Sequence, residues 1–513
     1  MTGLHAHLPV LPIVIPLLTA ATLLVLHRAS MAWKRTLSIA ATLVLGLVVL
    51  GLGIGVEHAG LLVYQVGNWP SFAGIVLLAD RLAVLMLVLL VLLALASQLF
   101  ASGGDDARGP HFHALFQFQL LGLCGAFLTH DLFNLFVFFE VLLAASYGLL
   151  LHGQGGERLR QGLHYVVLNL TASALFLFAV GVLYAALGTL NLADLSARVA
   201  ALPAESQPLV MAGAVLLLLV FALKAALLPL YFWLPRTYAA ASAPAAILFA
   251  IMTKLGVYAV VRVYVLVFGE AGFTPALQAG LFWAGAGTVL LAALGALAAP
   301  TLRGLIGYLV VSSAGVLFMA LGLGSLPALA TALYYLVHST LALAAFFLLA
   351  DWVRRHRDGG DSLSRIGTTA RASLLGGLFV VLVVAAAGLP PLAGFLGKSL
   401  LLANVEPTGQ GVVLWTLVLL ASLLNLLALA RAGSRLFWQQ PAAATVRSTL
   451  PTAAPAVGER LAMLLLLTGL LALTLLAGGV VDYVGGSAAQ LADVAAYREA
   501  VLGKDPLPTT VPR

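Results

Sequence analysis

Fourteen runs of about twenty apolar residues constrain this chain more than any other feature. A helix needs about that many residues to cross roughly 30 Å of hydrocarbon. The runs fall at 9–27, 36–56, 81–101, 112–129, 131–151, 163–188, 209–234, 243–267, 275–299, 304–323, 326–350, 372–403, 410–438 and 460–482. Only 9% of the residues are charged and 62% are hydrophobic, whereas a soluble domain carries about 25% charge. The expectation is an all-α integral membrane protein with fourteen transmembrane helices. No polar stretch is long enough to fold as a soluble domain; the longest are 439–459 and 483–513. No Lys or Arg precedes Arg28, so the first run reads as a retained span rather than a signal peptide. The single cysteine, Cys124, excludes a disulfide or a cysteine metal site within the chain.

Two of the runs are spoiled in the same way. Phe221-Ala-Leu-Lys-Ala-Ala-Leu-Leu-Pro-Leu-Tyr-Phe-Trp-Leu-Pro235 places Lys224 five residues ahead of Pro229. Gly388-Leu-Pro-Pro-Leu-Ala-Gly-Phe-Leu-Gly-Lys-Ser399 places Lys398 beside prolines and glycines. A charge at membrane depth is costly and normally faces protein or water. A proline break is tolerated there only where the freed backbone groups find partners. Paired interrupted segments in two halves of a chain point to a transporter built from inverted repeats.

Charge placement orients the chain. With the N-terminus outside, seventeen of the 26 Lys and Arg fall in inward loops and adjoining span ends, against four in outward loops and tail. The other five are Arg81, Lys224, Lys254, Arg262 and Lys398, within spans or at their outer edges. That asymmetry predicts both termini outside. Glu140 is the one acid of nineteen expected in the middle of a span, and its candidate partners are Lys224, Lys254 and Lys398. His338 is the one histidine well inside a span. Burial and like charge both favour a neutral amine, so at least one of the three lysines is expected to be uncharged or poised to lose its proton. Such lysines, bridged by histidine and water, suit a proton relay. Arg262 is expected to snorkel to the outer interface, and Asp80-Arg81 to cap and anchor the third span. The aromatics Phe133, Phe136, Phe138 and Phe139 read as packing. No phosphate loop, metal-ligand cluster or nucleophile motif is legible, so neither an enzyme nor a cofactor or metal site is expected.

Phe138-Phe-Glu-Val, Lys224-Ala-Ala-Leu-Leu-Pro-Leu-Tyr-Phe-Trp-Leu-Pro235, Lys254-Leu-Gly-Val-Tyr-Ala-Val-Val-Arg262 and Gly388-Leu-Pro-Pro-Leu-Ala-Gly-Phe-Leu-Gly-Lys398 resemble the proton-translocating antiporter-like subunits. That superfamily includes the large membrane subunits of respiratory complex I and the Mrp-type (Pha-type) cation/proton antiporters, and the resemblance is nearest to the D-type branch of the latter. It implies two inverted five-helix repeats with broken helices seven and twelve. The corresponding divisions are 1–110, 111–270 (spans four to eight), 271–440 (spans nine to thirteen) and 441–513. It implies that Glu140 and Lys224 form a functional ion pair, that Lys254 is the central relay lysine, that His338 bridges to the second bundle, and that Lys398 exchanges protons with one side. Tyr231, Arg236 and Tyr238 depart from the complex I pattern toward the Mrp branch, and Ala342 stands where many relatives carry a lysine. The implied function is exchange of protons for Na+ or K+ across a bacterial plasma membrane, as one subunit of a hetero-oligomer. The alternatives are a proton-pumping subunit of a complex I-type or hydrogenase redox complex, and a structural subunit that conducts nothing.

Overall fold

The computed structural model describes residues 7–71, 74–365, 367, 369–439 and 454–503. Arg447, Lys504 and Arg513, counted above for orientation, lie outside the described residues. The chain opens with α1 (Leu11–Val25) and α2 (Met31–Ala59). One short hairpin interrupts the otherwise helical chain. Leu62–Gln65 (β1) and Val76–Ala79 (β2) pair antiparallel, with Leu62 opposite Ala79. The connection is too short to span a membrane, and its backbone groups pair with each other instead. Asp80 ends the hairpin and starts α3 (Arg81–Ala101), its carboxylate accepting the Ala83 N–H at 2.8 Å. Next come α4 (Phe112–Leu128), α5 (Leu132–Leu151), α6 (Gly156–Leu187), α7 (Leu192–Ala200), α8 (Gln207–Lys224), α9 (Leu234–Ala240) and α10 (Ala243–Leu266). The second half holds α11 (Thr274–Ala298), α12 (Leu302–Gly322), α13 (Leu326–His356), α14 (Ala372–Ala387), α15 (Ala393–Ala403) and α16 (Gln410–Gly433). Side-chain caps from Asp131, Asn191, Thr301 and Ser325 fix the starts of α5, α7, α12 and α13.

The C-terminal part is α17 (Val457–Leu475), α18 (Ala477–Ala492) and α19 (Val494–Leu502). Over its described residues the predicted outward tail is therefore helical: α18 packs on α3 and α13, and α19 on α7. Among the described residues eleven helices are long and apolar enough to cross a membrane, and α1, α4, α14 and α15 are shorter apolar helices. Each predicted run lies on helix, except that the seventh ends in irregular backbone ahead of α9, the twelfth is divided between α14 and α15, and the fourteenth passes from α17 into α18 at Leu476.

Burial separates helices that composition cannot. In the most apolar stretch of α10 94% of residues are inside the molecule, and in that of α13 100%, against about a third in α2, α16 and α17. The axis of the fold is thus α10 and α13, and these carry Lys254 and His338.

Candidate functional site

The first break fixes Lys224. The helix α8 stops at this residue, Ala226 takes φ 57°, and α9 begins only at Leu234. Freed backbone groups find partners as a membrane interior requires. Leu227 N–H donates to Ala222 O at 2.8 Å, Leu228 N–H to Thr288 Oγ1 at 2.8 Å, and Trp233 Nε1 to Leu223 O at 3.2 Å. A lysine in the last turn of a helix meets the negative end of the dipole. The Lys224 ammonium is buried and has no hydrogen-bond partner among the described residues. It sits over the Phe139 ring, 4.7 Å from the centroid, a cation–π contact. Glu140, the neighbour of Phe139, instead accepts a hydrogen bond from Ser173 Oγ on α6. No direct salt bridge joins Glu140 to Lys224; α5 presents the Phe139 ring to Lys224 and the Glu140 carboxylate to Ser173.

The second break fixes the far end. Here α14 ends at Ala387 and Gly388 turns the chain at φ 79°. Ala385 O, freed there, accepts from His338 Nε2 at 3.1 Å; Ala387 O accepts from Lys398 Nζ at 2.8 Å, and Ser422 Oγ from the same amine at 2.9 Å. Two glycines make room for this. A Cβ at Gly394 would overlap Ala385 O and lie 2.8 Å from His338 Nε2, and one at Gly388 would lie 2.8 Å from Lys398 Cδ. Both breaks therefore satisfy their loose carbonyls, and the second does so with the ionisable groups themselves.

Between the breaks lies Lys254 on α10, with no exposed surface; its Nζ donates to Ser313 Oγ on α12 at 2.5 Å. Ser313 also lines an internal cavity of about 30 Å3 shared with His338, Lys398, Ser312, Ser422 and Asn425, room for one or two waters. Ala342 forms part of its wall. His338 Nδ1 and Asn425 Oδ1 are buried without partners among the described residues, so polar atoms of the kind a water needs are at hand. The structure thus gathers Ser313, the partner of Lys254, with His338 and Lys398 around one cavity, and leaves Glu140 and Lys224 on a separate cluster. Ser173, Ser313, Ser422 and Asn425 escaped the sequence reading, and Phe139, expected only to pack, lies against the Lys224 ammonium. The one available signal was polar residues inside apolar runs, Ser312-Ser313 and Asn425 above all.

Arg262 is a correction. It does not reach an interface but is 2% exposed. Its guanidinium holds Asp80 in a bidentate pair at 2.5 and 2.8 Å and also donates to Tyr258 OH. Tyr497 of α19 donates to the same carboxylate at 2.5 Å. Asp80 thus caps α3, as expected, and also anchors α10 and the C-terminal helix.

Apolar helices, two of them broken, with ionisable side chains set at the breaks and along the central axis, define a class: polytopic membrane subunits with a charged interior. The model of the family described as NADH:quinone oxidoreductase/Mrp antiporter, TM, matches residues 129–425, and the chain belongs to that family. A probable K(+)/H(+) antiporter subunit of the D type from Rhizobium meliloti (strain 1021) is 41% identical, with 98% of each chain covered. The Na(+)/H(+) antiporter subunit of the same type from Bacillus subtilis (strain 168) is 38% identical over 84% of this chain and 86% of its own. Among solved structures, a chain of the Mrp complex from Dietzia sp. DQ12-45-1b superposes with a TM-score of 0.86 at 25% identity, covering 98% of this chain and 100% of that one. A chain of respiratory complex I from Thermus thermophilus gives 0.78 at 26% identity, covering 96% and 99%.

Proposed function

We propose that this chain is a membrane subunit of a multisubunit monovalent cation/proton antiporter in a bacterial plasma membrane. Residues 111–270 and 271–440 act as its two repeats, and Glu140, Lys224, Lys254, His338 and Lys398 carry protons. The observation that supports a relay over a scaffold is an internal contrast. Arg262 is a buried cation with every guanidinium nitrogen hydrogen-bonded and a carboxylate of its own. Among the described residues Lys254 and Lys398 hydrogen-bond only to hydroxyl and carbonyl oxygens, and Lys224 lies over a ring with Glu140 near it but not bonded to it. A permanently charged buried group without a counter-ion is strongly destabilising, whereas an amine that takes and gives up a proton suits such a setting. A water in the cavity at Ala342 would connect Ser313, His338 and Lys398. The exchanged cation is Na+ or K+, relatives being named for each, and the partners are the other subunits of the hetero-oligomer. The fold is shared with redox complexes; the closeness in sequence to antiporter subunits favours antiport.

The test is cation-induced proton flux in everted vesicles containing the complete complex, normalised to assembled protein. Glu140→Ala is expected to abolish flux while the subunit still inserts and assembles. Wild-type flux in that variant would remove Glu140 from the mechanism.

A further inference from the structure

The loops assigned to the inward side meet in space around a basin of about 850 Å3. Six arginines line it: Arg108, Arg158, Arg160, Arg236, Arg303 and Arg354. Three have carboxylate partners, Arg108 with Asp105 at 2.9 Å, Arg303 with Asp361 at 2.9 Å and Arg354 with Asp351 at 2.6 Å. Among the described residues the other three have none. Arg158 donates to the carbonyls of Ala240 and His152, which leaves its charge uncompensated. Arg160 and Arg236 are exposed. The one acid in the wall, Glu157, accepts from Gln161. The paired arginines cancelled, three charges face one, and the basin is left at about +2 by counting formal charges. One helix N-terminus adds to it: Gly156 opens α6 with no side-chain cap, and free N–H groups at such an end favour an anion.

Position narrows the anion. The basin lies over α9, between α6 of the first half and α11 and α12 of the second. Small residues form its inner wall, Gly295, Ala298 and Ala239 among them. Below its rim, exposed leucines face outward, Leu159 and Leu163 on α6 and Leu294 on α11. A soluble anion has no use for such flanks, whereas a lipid sets its phosphate among the arginines and its acyl chains along the leucines. We propose that this basin binds the phosphodiester headgroup of an anionic phospholipid at the seam between the two halves. The proposal rests on α6, α11 and α12 crossing the membrane with their arginine ends inward; it is independent of the proton relay.

The experiment uses the complete complex, purified in detergent and stripped of lipid, with thermal unfolding followed after addition of diphosphatidylglycerol, phosphatidylcholine or inorganic phosphate at equal phosphate concentration. Diphosphatidylglycerol is expected to raise the midpoint and the other two to leave it unchanged. Arg160→Gln with Arg236→Gln should lose more than half of that rise yet unfold at the wild-type temperature without lipid, since neither side chain holds a structural partner. Arg160→Lys with Arg236→Lys, which keeps the charge, should retain most of the rise. An undiminished rise in the glutamine pair, or no rise for the wild type, overturns the proposal. An equal rise with inorganic phosphate assigns the basin to a free anion, and loss of sister subunits from the glutamine pair in lipid-free detergent assigns it to a protein partner; either result also overturns it.

Discussion

At the scale of single residues, Lys254 separates a moving proton from a fixed charge. Its amine has one hydroxyl partner, Ser313, and no carboxylate among the described residues. A relay needs a side chain that can lose its proton, and arginine stays protonated at any physiological pH. Lys254→Arg is therefore expected to insert and assemble but to block flux in everted vesicles; near-normal flux would leave Lys254 as a fixed cation that only tunes its neighbours. The ionisable set itself was legible, because a charge inside an apolar run is conspicuous whatever the fold. Its partners were not. Hydroxyls such as Ser173, Ser313 and Ser422 are unremarkable in sequence, and which ones face a lysine is set by how helices pack. Arg262 shows the same limit from the other side. Two turns beyond Lys254 and near the end of its run, it read as a surface anchor, but its partner Asp80 lies 182 residues away and only tertiary packing brings the two together.

At the scale of elements, the two breaks were legible because proline and glycine act locally, whereas the β1–β2 hairpin and the docking of α18 and α19 depend on surfaces far along the chain. The first turns of the fold are held by a staple that gives a pH dependence. Asp106, between α3 and α4, is fully buried and takes two hydrogen bonds from Arg35 of α2, at 2.6 and 2.7 Å, and one from His113 of α4 at 3.1 Å. Burial alone would raise its pKa, but the Arg35 and His113 hydrogen bonds outweigh this and bring it from 3.8 down to about 2. A lowered carboxyl stabilises the folded state above the unfolded value, and that contribution is lost as pH falls from 3.8 through about 2. The difference corresponds to about 2 kcal/mol. Unfolding in detergent, titrated from about pH 6 downward, should show wild type losing this margin relative to Asp106→Asn, which carries no such titration. Parallel acid profiles for the two proteins would mean that the carboxylate contributes nothing as an ion.

At the scale of the whole molecule, nearly every helix is apolar all round, so the sequence could not say that α10 and α13 are central while α2, α16 and α17 face outward. It did divide the charges, and the fold keeps that division. Loops assigned inward converge on the arginine basin. At the other end Arg498 of α19 binds Ser196 of α7 at 2.7 Å and Glu270 at 3.1 Å, all three in segments assigned outward. Loops that should share a side of the membrane thus meet one another, and a single missed crossing would have mixed the two groups. Asp358, after α13, is exposed at the arginine end; Ala495, in α19, is exposed at the other. Asp358→Cys and Ala495→Cys, each in a Cys124→Ala background because that thiol is the only native one, report the two faces. In right-side-out vesicles a membrane-impermeant thiol reagent is expected to label Ala495→Cys at once and Asp358→Cys only after permeabilisation. The reverse pattern would turn the molecule over, and the basin would then face the outer leaflet. Labelling of both from outside would mean that an even number of crossings separates the two positions, so that a predicted span between them, within 372–403, 410–438 or 460–482, does not traverse the bilayer.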